Sequence, residues 1–171
     1  METTYESPLG RITIEATAEG VTAVDFVDTN IDKNDVIKLE ITHKKHLLGS
    51  RAALEQSDEL LAKTIKQLDE YFAHKRTTFD VPLDLHGTPF QQQVWRALQD
   101  VPYGKTVTYK DIGIAIKNPK AVRAIGQANG RNPVCIIVPC HRVVASDGLG
   151  GYSSGIARKE WLLEHEKLFL H

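Results

Sequence analysis

Long apolar stretches are missing from this 171-residue chain: no run approaches the roughly 18 residues that a membrane-spanning helix needs. The opening Met1-Glu2-Thr3-Thr4-Tyr5-Glu6 lacks the basic and apolar regions of a secretory leader, so a cytoplasmic protein is expected, or a nuclear one in a eukaryote. Cysteine is scarce as well. Cys135 and Cys140 are the only two, too few for a disulfide scaffold and consistent with a reducing compartment. There is no internal repeat, no low-complexity tract and no glycine loop of the phosphate-cradling kind. What is present, 42% hydrophobic and 25% charged residues, suits a soluble globular fold and excludes disorder as the main state.

The net charge of -1 conceals an asymmetry. Residues 1–85 carry 10 Lys/Arg against 16 Asp/Glu, whereas residues 86–171 carry 11 against 6, so -6 is set against +5. Between 105 and 131 stand Lys105, Lys110, Lys117, Lys120, Arg123 and Arg131 with one acid, Asp111. That density suits a polyanionic partner, and it equally describes a solvated helical face.

Hydrophobic periodicity divides the chain in two. Arg11 to Ala16 alternates polar and apolar, Gly20 interrupts, and Val21 to Val27 resumes, which predicts a hairpin. Leu60, Leu61, Ile65, Leu68, Tyr71 and Phe72 recur at helical spacing, and Thr77 to Leu85 reads as a further strand. Thr88, Pro89 and Gln91 form a capping-box signature, placing a domain join near residue 86. The fold class expected is α/β (α+β): a small N-terminal α/β domain over 1–85, and a mainly helical domain over 86–171 containing a helix-turn-helix. The two helices of that motif are Tyr109 to Ile116 and Lys120 to Asn129, the second opened by Asn118-Pro119. On it Ala121, Ala124 and Ala128 are expected on one face and Lys120, Arg123 and Gln127 on another.

Val134 to Val138 is an apolar run that reads as a buried strand stopped by Pro139, with Cys140 at the turn. A cysteine beside a histidine suggests an activated thiol, although a bare Cys140-His141 pair also fits a structural cysteine next to a surface histidine. Neighbours in extended chain point apart, so contact needs a turn or a bridging water.

Pro139-Cys140-His141-Arg142-Val143-Val144 resembles the active-site signature of the O6-alkylguanine-DNA alkyltransferases, the methylated-DNA–protein-cysteine methyltransferases. The likeness extends over residues 88–171 through Tyr109, Asn118 to Gly126, Asn132-Pro133, Gly151-Tyr152-Ser153 and Lys159 to Glu166, in the family's order. Residues 1–85 match only in general character.

The resemblance implies direct repair of DNA. An alkyl group would pass irreversibly from O6 of guanine, with O4 of thymine a further candidate, to Cys140, one per protein molecule. His141 would deprotonate Cys140 through water, Glu166 would orient His141, and Asn132 would tie the active-site turn to the helix-turn-helix. Tyr109 would donate toward the base, Ser153 N–H would meet O6, the carbonyls of Cys140 and Val143 would read the exocyclic amine, and Tyr152 would stack on the base. Lys159 matches a family position proposed to contact O6, and a solvated helical lysine is an equal reading. His165 alone is taken as a last-turn cation favourable to a helix dipole.

The partner implied is duplex DNA, entered from the minor groove with little sequence preference by a helix carrying Ala121, Ala124 and Gly126, with Arg123 filling the gap of a flipped base. Lys117, Lys120 and Arg131 would meet phosphates. No cofactor, no membrane partner and a monomer are expected. Some relatives hold zinc in the N-terminal domain, but here no cysteine precedes Cys135 and only His43 and His46 pair up, so no metal is expected. Val122 and Gln127 are larger than often found at their positions, and Cys135 stands where some relatives have proline. Two other classes remain at this point. A non-enzymatic alkyl-lesion binding module would lack the acceptor cysteine, and a thiol hydrolase using Cys140 and His141 would recycle its thiol.

Overall fold

The computed structural model describes residues 1–28, 31–38 and 59–169. Three antiparallel strands, β1 (Glu2–Ser7), β2 (Gly10–Ala16) and β3 (Val21–Phe26), lie in the order β1-β2-β3. Alternation on β2 turns Ile12, Ile14 and Ala16 into the core and leaves Arg11 and Glu15 outside. Helix α1 (Glu59–Phe72) covers β1 and β2 with Leu61, Ile65, Leu68 and Phe72, residues spaced to share one face. The expected hairpin corresponds to β2 and β3. β1 was not foreseen, because an edge strand reading Glu-Thr-Thr-Tyr-Glu-Ser shows the core only a half-buried face.

The C-terminal half is mainly helical. α2 (Pro89–Gln99) starts at the anticipated capping box, in which Thr88 accepts from Gln91 N–H and Gln91 accepts from Thr88 N–H. A second box, formed by Thr108 and Asp111, opens α3 (Tyr109–Ala115) directly after the two-residue strand β4 (Val107–Thr108). β4 pairs in parallel with β5 (Val143–Val144). α4 (Val122–Gly130) packs on α2 and α3, and α5 (Ile156–Phe169) closes the fold. A small sheet and a helical half with a helix-turn-helix match the fold class expected. No helix among the described residues is long and apolar enough to cross a membrane.

Gly113 makes the tight helix-turn-helix possible, since a Cβ there would sit 3.1 Å from both Asn118 O and Pro119 Cα. Asn118 N–H donates to Gly113 O at 2.8 Å across that approach.

Three local expectations are corrected. Thr77 to Leu85 is extended but is not a strand. It meets β3 only at a parallel bridge between Val21 and Leu83, because Pro82 has no N–H to continue a ladder. The second helix begins at Val122, not Lys120. Asn118 O accepts Ala121 N–H at 3.2 Å, so residues 118–121 close a turn first, and Asn118 caps nothing. The alanines also part company: Ala128 is buried beside Ile125, whereas Ala124 is exposed with Arg123 and Gln127.

The third correction concerns Val134 to Val138, which forms a buried turn instead of a strand. Ile136 has a φ of 70°, and Val134 alone bridges to Val24. Burial looks the same in sequence for either conformation, and here the side chain of Asn132 replaces a ladder. It accepts from Val134 N–H at 3.0 Å and donates to Val138 O at 2.8 Å. This turn is held on the sheet by Val24 N–H to Pro133 O and Cys135 N–H to Val24 O, each 2.9 Å. The N-terminal half thus forms the floor under the residues that follow.

Candidate active site

Pro139 ends the buried turn, and Cys140–Arg142 form a single 3-10 turn before β5. All three of its side chains are buried, Cys140 with 2% of its surface exposed and His141 with none. That conformation brings consecutive residues into one site, which extended chain would have separated.

His141 Nε2 lies 2.6 Å from Glu166 Oε2, a carboxylate on α5 that is also fully buried. Arg142 Nε donates to Glu166 Oε1 at 2.8 Å and its Nη2 to Oε2 at 3.2 Å, while Gly104 N–H reaches Oε1 at 3.2 Å and Tyr71 Oη reaches Oε2 at 2.9 Å. Burial alone would raise the Glu166 pKa, but the bonds from His141 and Arg142 outweigh it and hold the carboxyl at about 2. The His141 pKa also falls, but for the opposite reason: burial lowers it more than Glu166 raises it, so the ring is neutral at pH 7. A neutral ring giving its Nε2 proton to Glu166 keeps Nδ1 as an acceptor, and Nδ1 is buried without a partner among the described residues.

Cys140 is biased toward thiolate. A bond from the Cys135 thiol leads, burial opposes, and Asn132 and the Lys159 charge add to the lowering. Cys135 moves up in turn, through the same contact and its own burial. Lys159 is not a solvated helical lysine. It is fully buried, donates to Val143 O at 2.6 Å and Gly151 O at 2.9 Å, and has its pKa lowered to about 8 by burial. The Val143 carbonyl therefore already carries a donor, and the Cys140 carbonyl likewise accepts from Val143 N–H and from Asn129 Nδ2 at 3.4 Å.

Tyr109, first residue of α3, is half-buried with its hydroxyl against the Gly150-Gly151 loop. Gly150 has φ 72°, and a Cβ there would lie 2.9 Å from Tyr109 Oη, so glycine is required on both counts. Tyr152 is half-buried, its hydroxyl enclosed without a partner among the described residues, and Ser153 is exposed at the rim. His165 lies before the last turn of α5. It is buried, bonds Tyr71 O through Nε2 at 2.9 Å, and stacks between Trp161 and His74 with centroids 4.7 and 3.9 Å away.

Cys140, His141, Glu166, Asn132, Lys159 and Val143 thus converge, with Tyr109 and Tyr152 alongside. Arg123, Ala124, Lys117, Lys120 and Arg131 are all exposed along the helix-turn-helix and its end, and Ala121 and Gly126 are half-buried. The four basic residues form no ion pair among the described residues. Sequence reasoning missed the parts played by Arg142, Gly104 and Tyr71. Arg142 stood in the quoted motif with no role given to it. His43 and His46 lie outside the described residues, and no group of three metal-binding side chains occurs among the described ones.

Asn132 carries a stability prediction. Asn132→Ala removes two buried hydrogen bonds and leaves Val134 N–H and Val138 O without them, so it should cost about 2–4 kcal/mol in urea unfolding. A loss under about 0.5 kcal/mol would mean the turn is held by other contacts.

Two family models match the chain. That described as 6-O-methylguanine DNA methyltransferase, DNA binding domain, covers residues 89–168, and that described as 6-O-methylguanine DNA methyltransferase, ribonuclease-like domain, covers residues 1–85. The methylated-DNA–protein-cysteine methyltransferases of Methanosarcina barkeri and Methanosarcina acetivorans are 40% and 42% identical over 163 residues, 95% of this chain and 94% and 95% of theirs. Among solved structures, Mycobacterium tuberculosis OGT in complex with DNA superposes with a TM-score of 0.78 at 38% identity, over 97% of this chain and 92% of that one.

Proposed function

The chain belongs to the 6-O-methylguanine DNA methyltransferase family, as a methylated-DNA–protein-cysteine methyltransferase of DNA repair, and on that premise we propose how its own residues carry the reaction. The sulfur of Cys140 attacks the alkyl carbon on O6 of guanine. A carbon–sulfur bond forms, the carbon–oxygen bond breaks, and its electron pair stays with the guanine. His141 Nδ1 takes the thiol proton through a water, and a proton is delivered to the departing base, with Tyr109 as the donor facing it. The thioether left on Cys140 is a poor leaving group, so each molecule acts once.

The observation that carries this reading is the buried His141–Glu166 contact of 2.6 Å in the residue next to Cys140, which selects the tautomer whose free Nδ1 can accept a proton. The enclosed thiol also supports extrusion of the nucleotide, because a base stacked in duplex cannot present its O6 substituent to an atom buried this deeply. Tyr152 stacks on the extruded base and Ser153 N–H meets O6. The Val143 carbonyl contributes through its remaining lone pair, and Lys159 fixes that carbonyl and the Gly151 loop in place. O4-alkylthymine is a second substrate of the same geometry.

The exposed Arg123, Ala124, Lys117, Lys120 and Arg131, with the half-buried Ala121 and Gly126, form the DNA-binding face, entering the minor groove. Residues 1–85 and 86–171 act as the two domains of a cytoplasmic monomer. Intact mass after incubation with O6-methylguanine duplex tests the assignment. One methyl group per chain, mapped to Cys140, is expected. Repeated turnover, as a thiol hydrolase would give, or labelling of Cys135 instead, would overturn it.

A further inference from the structure

Glu166 draws its donors from separate stretches of chain, and one of them comes from the N-terminal half. Tyr71, near the end of α1, places its hydroxyl 2.9 Å from Glu166 Oε2, the same oxygen that holds His141 Nε2 at 2.6 Å. The ring cannot drift. Phe72, Phe79, Tyr103 and His165 surround it with centroids 5.3, 5.6, 6.1 and 5.2 Å away, and its own carbonyl accepts from His165 Nε2. Burial, and then the Glu166 charge, push its phenol far above the ordinary range, so it stays protonated and donates at every working pH.

We propose that Tyr71 is a positioning residue for alkyl transfer, through which residues 1–85 reach into the reaction by sharing Glu166 Oε2 with His141. The inference rests on the relay described above. A carboxylate oxygen that accepts two strong donors offers less negative charge to each, so the Tyr71 hydroxyl limits how firmly Glu166 can hold a proton on His141. The other groups facing this pair are Arg142, on both oxygens of Glu166, Tyr103 beside Glu166 and Arg142, and Lys159 toward His141. They remain when the hydroxyl is removed. Glu166 therefore stays ionised without Tyr71, and its undivided charge binds the His141 proton more tightly.

Tyr71→Phe, which keeps the packing ring, tests this in the full chain. Single-turnover methyl transfer from O6-methylguanine duplex should lose rate on the acid side at a pH higher by roughly half a unit to one unit than in the parent, since His141 must be neutral to accept the thiol proton. An NMR titration of the His141 ring should show the same upward shift with no substrate present. Incorporation of 3,5-difluorotyrosine at position 71, a stronger donor, should move both readings downward and serves if the phenylalanine variant folds poorly. A lowered melting temperature with neither reading displaced would make Tyr71 a packing residue only and overturn the inference. Failure of the parent chain to transfer at all would instead overturn the function, and the ring titration would still judge Tyr71.

Discussion

Replacing Glu166 by glutamine should slow methyl transfer by roughly a hundred- to ten-thousand-fold, the range seen when a base loses the partner that sets its tautomer. The mechanism is specific to the geometry. Glutamine keeps an oxygen for Arg142 but presents an amide that can donate to His141 Nε2, so the ring proton moves to Nδ1, the atom proposed to take the thiol proton, and that atom stops being an acceptor. Stability should fall too, and its pH dependence has a definite sign. The Glu166 pKa is depressed from 4.5 to about 2, so its contribution is complete above about 4.5 and is lost as pH falls through about 2. The variant's deficit, roughly 3 kcal/mol at neutral pH, should therefore shrink across that window in urea unfolding. A normal transfer rate with an unchanged rate profile against pH would remove Glu166 from the reaction.

How far this site could be read in advance depends on distance along the chain. Cys140 and His141 are neighbours, and that adjacency suggested an activated thiol without excluding a structural cysteine, while the role of Asn132 came with the family likeness. Glu166 entered through the family likeness, since nothing local separates it from an exposed helical glutamate. Tyr71 stood in plain view as part of a helical apolar stripe, yet its hydroxyl finds Glu166 across 95 positions of sequence, and no periodicity reports such a meeting. Gly104 contributes a backbone N–H, which no side-chain pattern can signal. The capping boxes at Thr88 and Thr108 are local chemistry. The first was legible for that reason, whereas the buried turn over 134–138 was not, because an apolar run marks burial and leaves its conformation open.

Arg123→Ala should separate extrusion of the base from attraction to DNA. Arg123 is exposed on α4 beside exposed Ala124, while Lys117 and Lys120 lie in the turn that precedes the helix and Arg131 lies just beyond its end. The flanking cations can reach phosphates without entering a groove. Lys117→Ala or Lys120→Ala should weaken binding to any duplex and lower the salt slope by about one unit for each lost contact. Arg123 is exposed with Ala124 next to it, so its guanidinium can occupy the space a departing nucleotide vacates. Without it the duplex restacks at no cost, and methyl transfer from O6-methylguanine in duplex DNA should slow roughly ten- to a hundred-fold. The free alkylated base needs no extrusion, and none of the Cys140, His141 and Glu166 contacts involves Arg123, so its reaction should keep nearly the parent rate. Single-turnover rates on the two substrates decide the matter: an equal fall in both would make Arg123 a support for the pocket, and extrusion would need another side chain.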